Sequence, residues 1–358
     1  MTIVSFKSVI LNPITIFFMM KQPKSFIGFV AVVTFFAAIV TSCHRKPVYI
    51  TESGMVWNTI YKTTYSAHES LNDSVKATMR RVELSLSPFN ARSLISQINA
   101  GVTDSTDELI DTVFVVSQMI NRESGGVFDP SAAPLFSLWG VGHGDKNGGT
   151  PTDEQIDSAL QSVGIGDCSI DRGVIMRKSV KTQFNFSAIT KGYGCDMVGE
   201  CLRRNGCDNY MVEIGGEITL AGLSPSGEKW RIQVDAPIFN DSTVEHSRLG
   251  IIKVSDCGIA TSGNYRNFRR DESGNIYGHT ISPVTGRPVT DIATLSATVI
   301  AQNCMTADAL ATACMAMSPT DALAMIERIE GADVMLVSSD GNGGYRLDVT
   351  TGFPTIIK

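Results

Sequence analysis

The chain has 358 residues, 43% of them hydrophobic, and a formal charge of −6. That length can bury a sizeable core. The acidic balance excludes nonspecific nucleic-acid binding, which needs cations along the phosphate backbone, so any anionic ligand has to meet a local, prebuilt pocket.

Lys21 and Lys24 precede an uncharged apolar run from Phe26 to Val40. It has signal-peptide length and is short for a membrane span. The run ends in Val40-Thr41-Ser42-Cys43. Small residues before a cysteine resemble a bacterial lipoprotein cleavage site. The resemblance implies a signal peptide over residues 1–42, a lipid on Cys43 and a tether over 43–52. The domain over 53–358 would then sit at the bacterial cell envelope, facing the periplasm or outside the cytoplasm. An ordinary secretory signal that happens to contain a cysteine is the plainer alternative, and Met19 or Met20 would serve as a start as well as Met1. Residues 1–42 hold three lysines and no acid, so the chain from Cys43 carries −9. Cys195, Cys201 and Cys207 are spaced six apart, which matches no zinc site, and the five histidines are scattered.

Past the tether, Trp57 to Ser66 alternates and reads as a strand. Leu71, Val75, Val82 and Leu86 mark a helix to about residue 87. Ser105-Thr-Asp-Glu108 reads as a capping box for a helix ended by Gly125-Gly126, and Thr152 to Gln155 reads as another. Lys181 to Phe186 reads as a strand running into a helix from Gly192 to Asn205. Strands follow at Tyr210–Ile214, Thr219–Leu223, Trp230–Ala236, Gly250–Ser255 and Leu295–Ala301. Helices over 305–317 and 321–330 and strands over 333–338 and 345–349 complete one α+β domain.

Several segments exceed what packing requires. Asp129, in Gly126-Val127-Phe128-Asp129-Pro130, caps a turn or faces a ligand. Ser187, Thr190 and Lys191 stand at a strand-to-helix junction, in outline an anion site, with none of the Walker-loop glycines. Glu213-Ile-Gly-Gly-Glu217 allows close backbone approach. Thr261, Ser262 and Gly263 open a small-residue turn. His279 begins a rigid Pro/Gly loop containing Ile281 and Ser282, and histidine is the side chain suited to proton transfer. Asp308 and Thr312, four apart on a helix, put two hard oxygens on one face, as magnesium or calcium prefers. The plainer reading has Thr312 bonding its own helix backbone.

Taken in order, Phe-Asp-Pro at 128–130, Ala-Ile-Thr-Lys-Gly-Tyr at 188–193, Ile-Gly-Gly-Glu at 214–217, Thr-Ser-Gly-Asn-Tyr at 261–265, the His279 loop and Thr-Ala-Asp-Ala-Leu-Ala-Thr-Ala at 306–313 resemble the ApbE family of FAD:protein FMN transferases. The likeness spans about residues 54–340. It implies a single α+β domain with a T-fold-like core, mixed or antiparallel sheets packed with helices, and FAD bound as substrate. It also implies Mg2+-dependent transfer of FMN to a threonine of an exported or membrane flavoprotein subunit, with loss of AMP. The metal ligands would be Asp308, Thr312 and the Ala188 carbonyl. Lys191 and His279 would act on the reacting phosphate. Trp57, Phe89, Val127, Phe128, Asp129, Asn185, Lys191, Thr261, Ser262, Gly263, His279, Ile281 and Ser282 would line the cofactor groove. The chain departs from the family pattern at Asn185 and Ser282, where Asp is frequent, at Trp57-Asn58 in place of Met-Gly, and at Leu94 in place of Glu. Two rival readings share the scaffold: a FAD pyrophosphatase with water as acceptor, and a FAD-binding lipoprotein without chemistry.

Overall fold

The computed structural model describes residues 47–140, 150–239, 244–263, 268–270, 276–278, 281–289, 294–340 and 344–358. Cys43 and His279 lie outside the described residues. From Val48 onward the chain is one compact unit. Its centre is an eight-stranded antiparallel sheet in the order β1-β2-β5-β6-β9-β12-β13-β14. These strands are β1 (Tyr49–Val56), β2 (Thr59–Ser66), β5 (Tyr210–Ile214), β6 (Glu217–Ala221), β9 (Cys257–Gly263), β12 (Thr294–Ala301), β13 (Asp333–Ser339) and β14 (Tyr345–Val349).

Side chains alternate faces along a strand, and here both faces are covered. On one face Ala260, Ala297, Val299, Val334 and Leu336 meet helices. On the other, Ile259, Ile300, Met335 and Val337 meet a long hairpin of β7 (Trp230–Phe239) and β8 (Val244–Val254). The Trp230 indole N–H donates to the Ala221 carbonyl at 3.0 Å and pins that hairpin to the sheet.

The helical face carries α1 (Asn72–Leu86), α6 (Ser187–Arg204), α7 (Cys304–Cys314) and α8 (Pro319–Glu327). Between α1 and α6 come α2 (Leu94–Asn99), α3 (Glu108–Glu123), α4 (Ala133–Leu138), α5 (Asp153–Leu160) and the short ribbon β3 (Ser169–Asp171) with β4 (Val174–Met176). A last ribbon pairs β10 (Phe268–Arg270) with β11 (Ile276–Gly278). Among the described residues no helix is long and apolar enough to cross a membrane. The seven cysteines after Cys43 are all free thiols, most of them buried.

Several elements differ from the sequence expectation, each for a local reason. Residues 49–52, expected in the tether, begin β1. Trp57 and Asn58 are not strand but the turn between β1 and β2, with φ of +47° and +59°. A two-residue hairpin turn of this hand needs positive φ at both positions, and neither residue is glycine, so the turn stores about 1 kcal/mol or more of strain. Ser105 is occupied in a bridge to Val174, and Asp107 caps α3 instead, accepting from the Leu109 and Ile110 amides. The Thr152–Gln155 capping box is present as expected.

Residues 181–186 form no strand beyond a single bridge from Gln183 to Ala132. The Asn99 side chain stands in for a neighbouring strand, accepting from the Phe184 N–H and donating to the Phe184 carbonyl, both at 2.8 Å. The helix expected from Gly192 begins five residues earlier, at Ser187.

Strand β9 runs close under α7. A Cβ on Gly258 would lie 2.0 Å from the Cys304 nitrogen and 2.1 Å from the Asn303 carbonyl carbon. Backbone on both sides leaves nothing to give way, so Gly258→Ala is expected to cost at least about 2 kcal/mol. Urea unfolding measures this, and an unchanged midpoint would contradict the packing.

Candidate active site

The site is built where α6 crosses α7. The two helices run antiparallel: Asp196 bonds the start of α7, and Gly192 meets Asp308 further along it. They touch at Gly192, where a Cβ would fall 2.3 Å from the Cys304 carbonyl oxygen and 2.8 Å from the Asp308 Cβ. Only a residue without a side chain permits this approach.

At the crossing the Gly192 N–H donates to the Asp308 carboxylate at 2.9 Å. In a regular α-helix the partner of that N–H is the carbonyl four residues back, which is Ala188. With Asp308 drawing on the N–H, and with two lone pairs on every carbonyl, Ala188 keeps an oxygen to offer. Ala188 is one turn before Gly192, and Thr312 is one turn past Asp308. In antiparallel neighbours these are the next positions along the same seam.

Thr312 does not behave as the plainer reading expects. Three other helical threonines bond back to the carbonyl four residues earlier, Thr78 to Ser74, Thr112 to Glu108 and Thr190 to Phe186, at 2.7–2.8 Å; Thr306 and Thr320, in the first turns of their helices, do not. Thr312 makes no such bond, and its hydroxyl has no partner among the described residues. Asp308 is only 3% exposed and does not cap its helix; Asn303 does, accepting from the Thr306 N–H. A buried carboxylate, a free hydroxyl and a carbonyl are hard oxygen donors of the kind magnesium or calcium prefers.

Lys191, placed by the sequence at a strand-to-helix junction, lies instead in the second turn of α6. Its ammonium forms a salt bridge with Glu217. Burial alone would lower the Lys191 pKa, but the Asp308 and Glu217 carboxylates outweigh it and hold the amine above its usual value, fully charged. Burial, and then the Asp308 charge, raise Glu217 above the ordinary carboxylate range, with Lys191 pulling the other way. Burial also raises Asp308, opposed by Lys191 and the Gly192 N–H. Two buried carboxylates share one ammonium, which leaves an acidic centre suited to a further cation.

Glu217 is the site residue that sequence reasoning missed. Its motif stood out, but no role attached to its side chain. Gly215 and Gly216, with φ of +66° and +106°, make the tight turn that returns the chain at Glu217. Strand alternation then points Glu217 opposite to Ile218, towards α6. Its Oε2 is buried with no partner.

Asn185 leads from α6 into a cleft. Its side chain accepts from the Ser187 N–H at 2.9 Å, and its own N–H donates to the Pro130 carbonyl at 2.8 Å. The cleft of about 290 Å³ is lined by Phe89, Asn99, Phe136, Phe184 and Asn185 among others. Phe89 is 57% exposed at its edge, and a planar heterocycle suits such walls. The amide at 185 thus shapes the helix start, a task that needs an acceptor oxygen but no charge.

Other expected groove residues have structural work. Asp129 is buried and accepts from the Ser131 N–H and hydroxyl, the Ile165 N–H and the Asn121 amide. The Phe128 ring lies in the core, leaving Val127 partly exposed beside it. Of the three at the end of β9, Ser262 shares the helical face with Ala260, while Thr261 points to the other face and pairs with Thr298 at 2.9 Å. Gly263 pairs with Ser296 at the strand end. The Trp57 ring rests on Gly194 of α6, and its buried Nε1 has no partner. Ile281 is buried beside Leu135. The Ser282 hydroxyl accepts from the Thr285 N–H, so it closes the loop turn as an aspartate would. The Trp139 indole N–H donates to the Gly286 carbonyl at 2.7 Å and ties down the loop that follows His279.

Fold and site together define an α+β domain with a buried acidic, oxygen-rich centre on α6 and α7 and an aromatic cleft at Asn185, two residues before α6. Comparison with known proteins makes this particular. The profile of the ApbE family matches residues 55–336. The FAD:protein FMN transferase of Vibrio cholerae is 32% identical over 329 residues, covering 89% of this chain and 96% of that one. The Haemophilus influenzae protein of the same name is 29% identical, covering 85% and 91%. Among solved structures, the flavin transferase ApbE from Vibrio cholerae superposes with a TM-score of 0.75 at 30% identity, covering 86% of this chain and 98% of that one. The apo flavinyl transferase ApbE of Pseudomonas stutzeri gives 0.76 at 28%, covering 86% and 96%. The chain belongs to the ApbE family.

Lys191→Met would leave Glu217 and Asp308 buried without their cation. It is expected to lower stability by about 1–3 kcal/mol at neutral pH, below the cost of a fully buried pair because the lysine is partly exposed. Adding Glu217→Gln should recover part of that loss in urea unfolding. Strictly additive effects would contradict the pairing.

Proposed function

We propose that this chain is an FAD:protein FMN transferase. It moves FMN from FAD to a threonine hydroxyl of an exported or membrane flavoprotein subunit and releases AMP. The observation that carries the reading is the free Thr312 hydroxyl one turn from the buried Asp308, on the seam shared with Ala188. The names and lengths of the relatives support it.

In the proposed reaction the acceptor threonine oxygen attacks the FMN-side phosphorus of the FAD diphosphate. The bond from that phosphorus to the bridging oxygen breaks, and AMP leaves with that oxygen. Phosphoryl transfer of this kind depends mainly on positioning and charge stabilisation. Asp308, Thr312 and the Ala188 carbonyl would hold Mg2+, which supplies charge neutralisation on the diphosphate. Lys191 would exchange part of its contact with Glu217 for a phosphate oxygen. His279 would take the threonine proton. Asn185, Phe89 and Trp57 would hold parts of FAD, with Val127 and Ser262 along the groove. Lipid on Cys43 would keep the domain at the cell envelope, within reach of membrane partners.

The test is incubation of the full chain with FAD, Mg2+ and a candidate acceptor subunit, followed by mass spectrometry of acceptor peptides. FMN on a threonine is the expected result, with AMP released in equal amount. Free FMN and AMP with an unlabelled acceptor would replace the transferase by a pyrophosphatase. Asp308→Ala should slow labelling at least about a hundredfold, the scale of several kcal/mol of lost charge stabilisation. Labelling at the wild-type rate would remove the metal role.

A further inference from the structure

We infer that Asp196 is a positioning residue for the metal site, a carboxylate on α6 that sets the start of α7 and so fixes how Asp308 and Thr312 face Ala188 and Lys191. This rests on the reading of Asp308 and Thr312 as metal ligands.

The first amides of a helix have no partner within it, and a nearby side chain usually supplies one. In α7 the local cap, Asn303, serves only the Thr306 N–H. The first two amides are served from elsewhere in the sequence. The Cys304 N–H donates to one Asp196 oxygen at 3.0 Å, and the Met305 N–H donates to the other at 2.8 Å. A local cap would hold α7 as a helix and leave it free to slide. A bidentate cap from α6 fixes its register and rotation against that helix.

The register is visible along the seam. Asp196 bonds Cys304, and one turn on Gly192 bonds Asp308. The same step carried one turn further sets Ala188 opposite Thr312. Asp196 is therefore the first rung of a ladder whose last two rungs hold the three expected oxygen ligands. Both of its oxygens are taken by α7 amides, so it acts on the ligands through the helix. Partners that orient metal ligands in this way typically change affinity by about 10–100-fold when removed.

The test compares the full chain with its Asp196→Asn and Asp196→Glu variants. Mn2+ binding is followed by electron paramagnetic resonance in the presence of FAD, and the Mg2+ dependence of FMN transfer is measured alongside. Asn keeps one acceptor oxygen and turns its amide NH2, a donor, towards the second N–H. It is expected to raise half-saturating metal by roughly tenfold or more, with kcat restored at saturating metal and thermal unfolding still cooperative. Glu keeps both acceptors and should give a smaller rise. Unchanged metal half-saturation in a folded Asp196→Asn chain would overturn the inference. So would a loss of kcat that saturating metal does not restore, which marks a merely structural or a chemical role. If Asp196→Asn does not fold, Asp196→Glu decides on the same two readings. A wild-type chain that binds Mn2+ but transfers no FMN would refute the transferase reading and leave the metal-binding comparison to decide this one; a wild-type chain that binds no Mn2+ would overturn the inference.

Discussion

The hydrogen bond from the Gly192 N–H to the Asp308 carboxylate joins two helices 116 residues apart in sequence. The site depends on it. It needs a helix contact so close that no side chain intervenes, which glycine supplies. It also turns a carboxylate with almost no exposure towards the neighbour of Lys191. Without the contact, Asp308 would be a buried charge in need of neutralisation. With it, Asp308, Lys191 and Glu217 form one electrostatic unit, two carboxyl groups around one ammonium.

The rest of the fold keeps that contact in place. The antiparallel sheet is covered on one face by the β7–β8 hairpin and on the other by helices, so α6 and α7 lie on a support that is itself buried from behind. Strand β9 passes under the start of α7 at Gly258, and the small residues of α7, Ala307, Ala309, Ala311 and Ala313, all buried, let sheet and helices close on it from several sides. Close packing of this kind resists small displacements and holds Asp308 and Gly192 in register.

Much of this was legible in the sequence where the signal was local. The paired oxygens of Asp308 and Thr312 follow from helical spacing, and the Thr152 capping box, the late strands and the terminal helices stand close to where pattern puts them. What sequence missed is of another kind. Residues 181–186 have strand character, yet their partners are the Asn99 side-chain amide and the non-strand segment at Pro130 and Ala132, which no periodicity reveals. β1 hides in a polar stretch because an edge strand needs few apolar residues. Helix α6 begins early, where the Asn185 side chain accepts from the Ser187 N–H just ahead of the apolar pattern. Glu217 was passed over because its meaning comes from Lys191, which reaches it only after the chain has folded. The ApbE resemblance named ligands that spacing alone left open, the Ala188 carbonyl above all.

The account stands on one claim: that the seam between α6 and α7 is a magnesium site. Anomalous diffraction from crystals grown with FAD and Mn2+ tests it most directly. The prediction is a single strong peak bounded by Asp308, the Thr312 hydroxyl and the Ala188 carbonyl, at about 2.1 Å from each oxygen. FAD bound with no metal there, or with the metal held by other residues, would contradict it.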